Sequence, residues 1–538
     1  MINKALTKLQ VLLILVVLVV ALFAGFYFIL WKPSPGTPLT TFIFATSQEP
    51  TTLDPAVVYD GSDRITTQIY EGLTKFKGST FEVEPCLATS WSASEDYKVW
   101  TFQLRQGVKF HCGYPFNATA VKESYTRMLK IGKGLAWAFK RILSPEGIEV
   151  IGEYTVRFHL KASYPAFLQM TASRYGAGII CPHSVKENEK SGDYAQEWAN
   201  SNTCGTGPYM LKEWVRKQYV VTVRNPNYWR GWEGKHFDTV IMKIVPDPST
   251  QKIMLEKGEV DAATHIGIDD LEELKNNPNI KILGAQSGQS TFNFFILMNT
   301  RKGILMNAKV REALSWAFSY EKCVNEAFKG HATQAIGPMP KAMPCHNSQV
   351  FVFQRNLTRA RELLSEAGYP SGGFTLSISY MTGQDWSMRI LSVLTSDLAE
   401  LGITLETRPR TWSAMIDELT NQQTAPDLCI ADWWPDYPDP DSFLSGVCDY
   451  YFWGGREEKD YLYYNEELLQ ILENATYEEN ATKRCALYKQ AQSILVEDMP
   501  AIWVLDFLYR TAMRANVRGY VYNAMLEMTY NVYDMWKE

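Results

Sequence analysis

Histidine is scarce in this chain, seven among 538 residues, and the seven are scattered without metal-ligand spacing. No C-x-x-C occurs, which argues against a zinc ribbon or a thioredoxin-like site. G-x-S-x-G, H-E-x-x-H and G-x-x-x-x-G-K-[ST] are also missing, and with them the usual serine-hydrolase, zinc-protease and P-loop signatures. There is no basic excess: the net charge of −6 argues against a nucleic-acid partner. No cofactor, catalytic residue or metal site is expected, and His111, between Phe110 and Cys112, reads as a packed histidine.

What is present is apolar and aromatic. A hydrophobic content of 46% with 13% aromatics describes a globular chain, and its length exceeds one core, predicting two or three domains. Sixteen tryptophans are many for such a protein and suit stacking surfaces. At the N-terminus Lys4 and Lys8 precede a charge-free run from Val11 to Leu30, long enough to span a bilayer with its N-terminal side in the cytoplasm. Residues 1–31 are therefore expected to be a membrane anchor, or, since the KALT start resembles an archaeal pilin-like leader, a leader cut between Ala5 and Leu6 with the apolar helix retained. Residues 32–40 form a stiff linker (KPSPGTP), and the rest faces outward at the cell surface. Nine cysteines agree with that compartment. Eight fall into local pairs: Cys86 with Cys112, Cys181 with Cys204, Cys323 with Cys345 and Cys429 with Cys448, leaving Cys485 over. Sequons stand at Asn117, Asn356, Asn474 and Asn480.

Alternating stretches predict strands at 41–46, 99–105, 154–160 and 219–225, and helical spacing covers 119–129. Past Asn299 the pattern turns helical. NAKVREALSWAFSYEKCVNEAF reads as one amphipathic helix, and further helices cover 358–367 and 387–401, the last between strands 374–380 and 403–409. A long helix over 481–497 precedes a strand over 501–510. The residues alone thus give a mixed α/β protein of several lobes.

Longer motifs carry a resemblance. EPTTLDP (49–55), YEGL (70–73), the run from Pro85 to Val121, GTGPYMLKEW (205–214), NPNYWRG (225–231), DPSTQKIMLEKGEVD (247–261) and DWWPDYPDPDSFL (432–444) resemble the family 5 extracellular solute-binding proteins of ABC importers. That is the peptide, nickel and oligosaccharide class, and the likeness covers essentially everything after the linker. It implies an α/β, periplasmic-binding-protein-like (class II) fold, three-lobed, with a ligand cleft between two large domains. Domain I would be discontinuous (41–80, 200–298 and 495–538), with domain II over 81–199 and domain III over 299–494. It also implies hinge closure over a solute and delivery to ABC permease subunits driven by cytoplasmic ATPases.

The segment DWWPDYPDPDSFL puts carboxylates and flat aromatic faces on a backbone stiffened by three prolines. In the resembling family it lines the cleft, and Asp436 matches the aspartate that receives a peptide's α-ammonium. Trp433, Trp434 and Tyr437 offer faces for stacking or cation–π contact, and the prolines lower the cost of ordering. Trp412 matches an aromatic of the family's pocket, and Thr52 and Leu53 belong to a turn that borders it. Relatives that bind peptides often carry a cation just before this segment. Here DLCIAD has none, and Arg410 or Arg408 is the substitute within reach of the sequence. Asp436, Asp439 and Asp441 lack the glycine and terminal glutamate of a twelve-residue calcium loop. The expected ligand is a dipeptide or oligopeptide, with an oligosaccharide as the alternative and nickel disfavoured for want of histidines. From other classes, a hydrolase on the same lobes would need a nucleophile and base, and a surface sensor or structural protein would bind neither peptide nor sugar.

Overall fold

The computed structural model describes residues 41–421, 423–445 and 462–538. The expected anchor or leader, the linker and Cys448 lie outside these residues, and among the described ones no helix is long and apolar enough to cross a membrane. Three larger sheets, beside two two-stranded ones, organise the described residues. The largest has seven strands in the order Ile280–Gly284, Arg510–Arg514, Ala262–Ala263, Thr41–Thr46, Thr239–Ile244, Tyr219–Arg224, Tyr209–Val215. A six-stranded sheet runs Ala332–Gln334, Ala501–Phe507, Asn293–Met298, Leu428–Trp433, Phe374–Met381, Ile403–Arg410. A four-stranded antiparallel sheet (Ala88–Ala93, Val99–Leu104, Thr155–His159, Ile148–Gly152) packs on helix Ala118–Ile131 around Phe102, Phe158 and Phe167.

The predicted strand–helix–strand unit is present. Strands Phe374–Met381 and Ile403–Arg410 pair in parallel across helix Asp385–Ala399, whose Ile390, Leu394 and Leu398 face the core at helical spacing. Two predicted elements break. The helix that starts at Ala308 stops at Ala317, because the Asp397 carboxylate accepts from both the backbone N–H and the hydroxyl of Ser319 at 2.7 Å. A separate short turn follows. The strand predicted over 501–510 ends at Phe507, and Arg510–Arg514 belongs to the seven-stranded sheet.

That second break matters for the architecture. The chain passes from the seven-stranded to the six-stranded sheet between Gly284 and Asn293 and returns between Phe507 and Arg510. The two passages run side by side: Ala285 donates to the Tyr509 carbonyl at 3.0 Å, and Phe507 donates to that of Phe292 at 2.8 Å. Gly284 sits at φ +142°, and a Cβ there would lie 2.1 Å from the Tyr509 oxygen, so only glycine fits. Strands Asn293–Met298 and Ala501–Phe507, which the expected boundaries group with domain I, hydrogen-bond within the six-stranded sheet.

Three of the four sequons have a local structural role. Asn117, Asn356 and Asn480 each cap a helix, their side-chain oxygens accepting from the backbone N–H of Ala120, Arg359 and Lys483. GTGPY is architectural, as its glycines suggest. Gly205 and Gly207 lie against the backbone of Gln68 and Ile69, where a side chain would clash.

The cysteine pairing needs correction. Cys345 is bonded to Cys485, the residue left over in sequence, and not to Cys323, which is a buried free thiol. Helix Ala481–Asp498 packs beside the 343–350 loop, so proximity in space overrides proximity in sequence. Cys86 lies against Glu71 (3.7 Å) and not beside Cys112. Cys181 and Cys204 do meet, with Cys112 as a third member of the group. Cys429 is a buried thiol.

Candidate functional site

Strand Leu428–Trp433 runs through the six-stranded sheet, antiparallel to Asn293–Met298 and parallel to Phe374–Met381. Past its end the proline-rich segment turns, with Ser442 Oγ accepting from the Asp436 N–H at 2.8 Å. Its three aspartates then meet three different environments. Asp439 is held by both terminal nitrogens of Arg484 at 2.7 Å each. Asp441 pairs with Arg141 at 3.2 Å and accepts from Tyr164, Tyr437, Ser445 and Thr476. Burial opposes ionisation of Asp441, but Arg141 and these hydroxyls outweigh it and hold its carboxyl well below the usual carboxylate range.

Asp436 has no such counter-ion. Its Oδ2 accepts from the Tyr59 hydroxyl at 2.9 Å, and no cation lies within ion-pair distance among the described residues. Burial pushes its carboxyl up to about 7, against the partial opposition of Tyr59 and the charge of Arg174. Asp432 and Glu527 are alike: burial raises each to about 7, and neither forms an ion pair among the described residues. All three carboxyls line one cavity of about 530 Å³, together with Trp412, Trp433, Trp434, Tyr59 and Tyr175. A buried unpaired carboxyl stays protonated at a cost and gains most from a ligand that brings a positive charge.

Two guanidiniums also line the cavity. Arg174 is already committed: it pairs with Asp63 at 3.1 Å, donates to the Glu527 carbonyl and lies over the rings of Tyr175 and Trp434. Arg64 is different. It is buried, donates to Thr46 Oγ1 at 3.0 Å and reaches Gln48, but its Nε has no acceptor and no carboxylate lies within ion-pair distance among the described residues. The cavity thus sets Asp432, Asp436 and Glu527, with Asp60 held by Thr51 and the Ser62 N–H, against one guanidinium without a carboxylate partner among the described residues, with aromatic walls between.

Of the residues expected from sequence, Asp436, Trp433, Trp434 and Trp412 line this cavity; Trp412 is 41% exposed, on helix Trp412–Leu419. Tyr437 does not. It is fully buried in the core beneath the four-stranded sheet, with its hydroxyl on Tyr164 and Asp441, and has no face to offer a ligand. Arg410 is also elsewhere, paired with Glu418 at 3.1 Å, and Arg408 approaches the same carboxylate. Thr52 bonds Asn200 and Leu53 is fully buried, so they anchor the EPTTLDP turn. The neighbouring Gln48, Glu49 and Thr51 line the cavity in their place. Asp54 of the same turn is locked to Arg127 by two 2.6 Å bonds. Sequence reading missed Tyr59, Arg64, Arg174 and Glu527. Only position relative to the fold marks them, since each stands in a stretch without a distinctive local pattern. Asp432 opens the quoted segment and differs from the other aspartates in preceding the prolines.

A second cavity, about 260 Å³, borders Glu71. Burial raises that carboxyl, but Trp229, Tyr228, Thr206 and Cys86 already point donors at it, which makes it a structural node between loops.

Comparison with known proteins places these features in a family. The sequence profile of the bacterial extracellular solute-binding proteins, family 5 (middle region), matches residues 82–454. The probable D,D-dipeptide-binding periplasmic protein DdpA of Escherichia coli (strain K12) is 32% identical over 513 residues, covering 93% of this chain and 95% of that protein. Heme-binding protein A of Haemophilus influenzae is 29% identical over 505 residues, 89% of this chain and 90% of that one. Among solved structures, the periplasmic binding protein DppA of Helicobacter pylori in complex with the peptide STSA superposes with a TM-score of 0.78. It is 26% identical, and the match covers 93% of this chain and 98% of that one.

Proposed function

Because the chain belongs to the family 5 bacterial extracellular solute-binding proteins, we propose that it captures short peptides for an ABC importer, seating the α-ammonium on Asp436 and the terminal carboxylate on Arg64. The observation that carries this is the asymmetry of the proline-rich segment. Two of its aspartates are neutralised by arginines, and the third, Asp436, turns an uncompensated carboxyl into an aromatic cavity. An ammonium there replaces a proton on a buried carboxyl by a hydrogen-bonded ion pair, a charge-assisted bond of the stronger kind. The cavity volume lies within the usual range of about 300–1,000 Å³ for small-molecule sites, which suits a dipeptide or tripeptide. An oligosaccharide would stack on the same tryptophans but would leave Asp432, Asp436, Glu527 and Arg64 without charge partners.

Capture works by closure about the paired passages 284–293 and 507–510, which join the two large sheets beside the cavity. A solute bridging Asp436, on the segment after the six-stranded sheet, and Arg64, on helix Asp63–Ile69, favours the closed state by its contacts with both sides. Three lobes follow, with the passages as boundaries of the third. The closed form docks on permease subunits, and residues 1–31 tether it to the membrane. The solute is bound and released without covalent change.

Calorimetry with a panel of di- and tripeptides, their N-acetylated and C-amidated forms, and neutral oligosaccharides tests this. Free peptides are expected to bind and acetylated ones to bind far more weakly. Equal binding of free and acetylated peptides, or binding of sugars alone, would overturn it.

A further inference from the structure

Cys112, Cys181 and Cys204 come from three separate stretches of chain, yet their sulfurs all lie within 4.8 Å of one another, with Cys112 Sγ 3.3 Å from Cys181 Sγ. The main chain builds this convergence. The Cys181 N–H donates to the Cys204 carbonyl at 2.9 Å, and the N–H of His111 donates to the carbonyl of Gly205 at 2.9 Å. Cys181 and Cys204 are buried, whereas Cys112 is exposed, so the group is open on one side. None of the three lines the cavity that holds Asp436.

We propose that Cys112, Cys181 and Cys204 form a three-thiolate site for a soft, thiophilic cation that accepts three-coordination, with monovalent copper as the probe ion. Thiolates select soft ions over the hard ones that carboxylates hold. Among the described residues no histidine, carboxylate or further cysteine joins the group, and a structural zinc would want a fourth ligand. An ion with metal–sulfur bonds of about 2.3 Å, centred among three thiolates, spreads the sulfurs about 4 Å apart. The 3.3 Å between Cys112 and Cys181 and the 4.8 Å limit on the other separations admit that figure, and all three are free thiols. Binding changes no oxidation state: three S–H groups become three sulfur–metal bonds, and up to three protons pass to solvent. The competing state is a disulfide between two of the three, which leaves the third thiol beside it.

The test uses the full-length chain with its thiols reduced under anaerobic conditions, with Cu(I) offered against a chromophoric Cu(I) chelator. One Cu(I) per chain is expected to be held, with proton release on binding and three sulfur neighbours by X-ray absorption. Cys112→Ser, at an exposed position, is expected to weaken retention more than about 100-fold, and Cys181→Ser likewise. Cys429→Ser, a buried thiol elsewhere, leaves it unchanged. Thermal melts establish that each variant is folded. Retention by Cys112→Ser equal to that of the parent, two sulfur neighbours in place of three, or a Cys181–Cys204 disulfide in protein isolated without added oxidant would each overturn the proposal.

Discussion

The Tyr59 hydroxyl donates to Asp436 at 2.9 Å across 377 positions of sequence, where the neighbouring Asp439 and Asp441 receive guanidiniums. A phenol supports a carboxylate without neutralising it, so the site stays short of one positive charge. Replacing Asp436 by Asn removes the ammonium's partner at almost constant volume. Peptide affinity should fall by about 2–5 kcal/mol, read by calorimetry, while the fold is retained. Unchanged affinity would remove Asp436 from the site.

Arg64 is expected to read the other end of the ligand. In the parent protein, amidating a peptide's C-terminus should weaken binding, because Arg64 has no other carboxylate to neutralise. Arg64→Gln should bind free and amidated peptides alike. If it discriminates as the parent does, the carboxylate is read elsewhere, with Arg174 the next residue to change.

Protonation gives a signed prediction. Asp432, Asp436 and Glu527 are raised to about 7 in the fold against roughly 4 when unfolded. The folded state therefore binds more protons between these limits, and each group's contribution to stability falls as pH rises from about 4 to about 7. Half-buried histidines such as His111, lowered to about 4 by desolvation, act in the opposite direction, so the informative quantity is a difference. The melting-point gap between Asp436→Asn and the parent, both without ligand, should grow in the variant's favour across that window and level off above it. The magnitude is on the order of a few kcal/mol. A gap independent of pH would mean that Asp436 titrates normally. In the parent, peptide affinity should rise over the same window, since the ammonium binds the ionised carboxyl.

How much of this was legible in sequence depends on whether the cause was local. Strand alternation and helix caps are local, and the elements at 374–381, 385–399, 403–410 and 481–498 fall within two residues of expectation. The break at Ser319 comes from Asp397, 78 positions away, and the split after Phe507 comes from pairing in two different sheets. The same divide runs through the site. Asp436 stood out through motif order, but Tyr437, one residue on, points the other way into a core, and no pattern in DWWPDYPDP distinguishes the two. Arg64 and Glu527 lack any local signal, since what singles them out is the partner each does not have after folding. Cysteine pairing failed for a related reason. Separations of some twenty residues look local, while the observed bond joins positions 140 apart through a helix that packs back on its own lobe.

The bond between Cys345 and Cys485 should contribute measurably to stability. It closes a loop of 140 residues, and removing a native disulfide costs typically about 2–5 kcal/mol. Cys345→Ser and Cys485→Ser should lower the melting point equally, and the double variant should match either single one. Cys323→Ser should not reproduce that pattern. Additive effects of the two serines would show that the sulfurs act independently.

Arg484 and Asp439 test whether the proline-rich segment is held in place by charge. Both are buried and joined by two 2.7 Å bonds, and Arg484 also donates to the Ala475 carbonyl, so the pair ties the segment to helix Glu466–Tyr477. Arg484→Met leaves Asp439 ionised in the interior without a partner, which should destabilise by about 3–5 kcal/mol. Adding Asp439→Asn removes the stranded charge and should recover much of that loss, because the pair's net worth is far smaller than the cost of breaking it. Peptide affinity separates shape from stability. If Arg484 fixes the segment's conformation, the stable double variant still binds more weakly, since Asp436 loses its preset position and the ligand must order it. If the double variant recovers stability and binds as the parent does, the prolines and the Ser442 contact suffice to place Asp436, and the Arg484–Asp439 pair serves the fold alone.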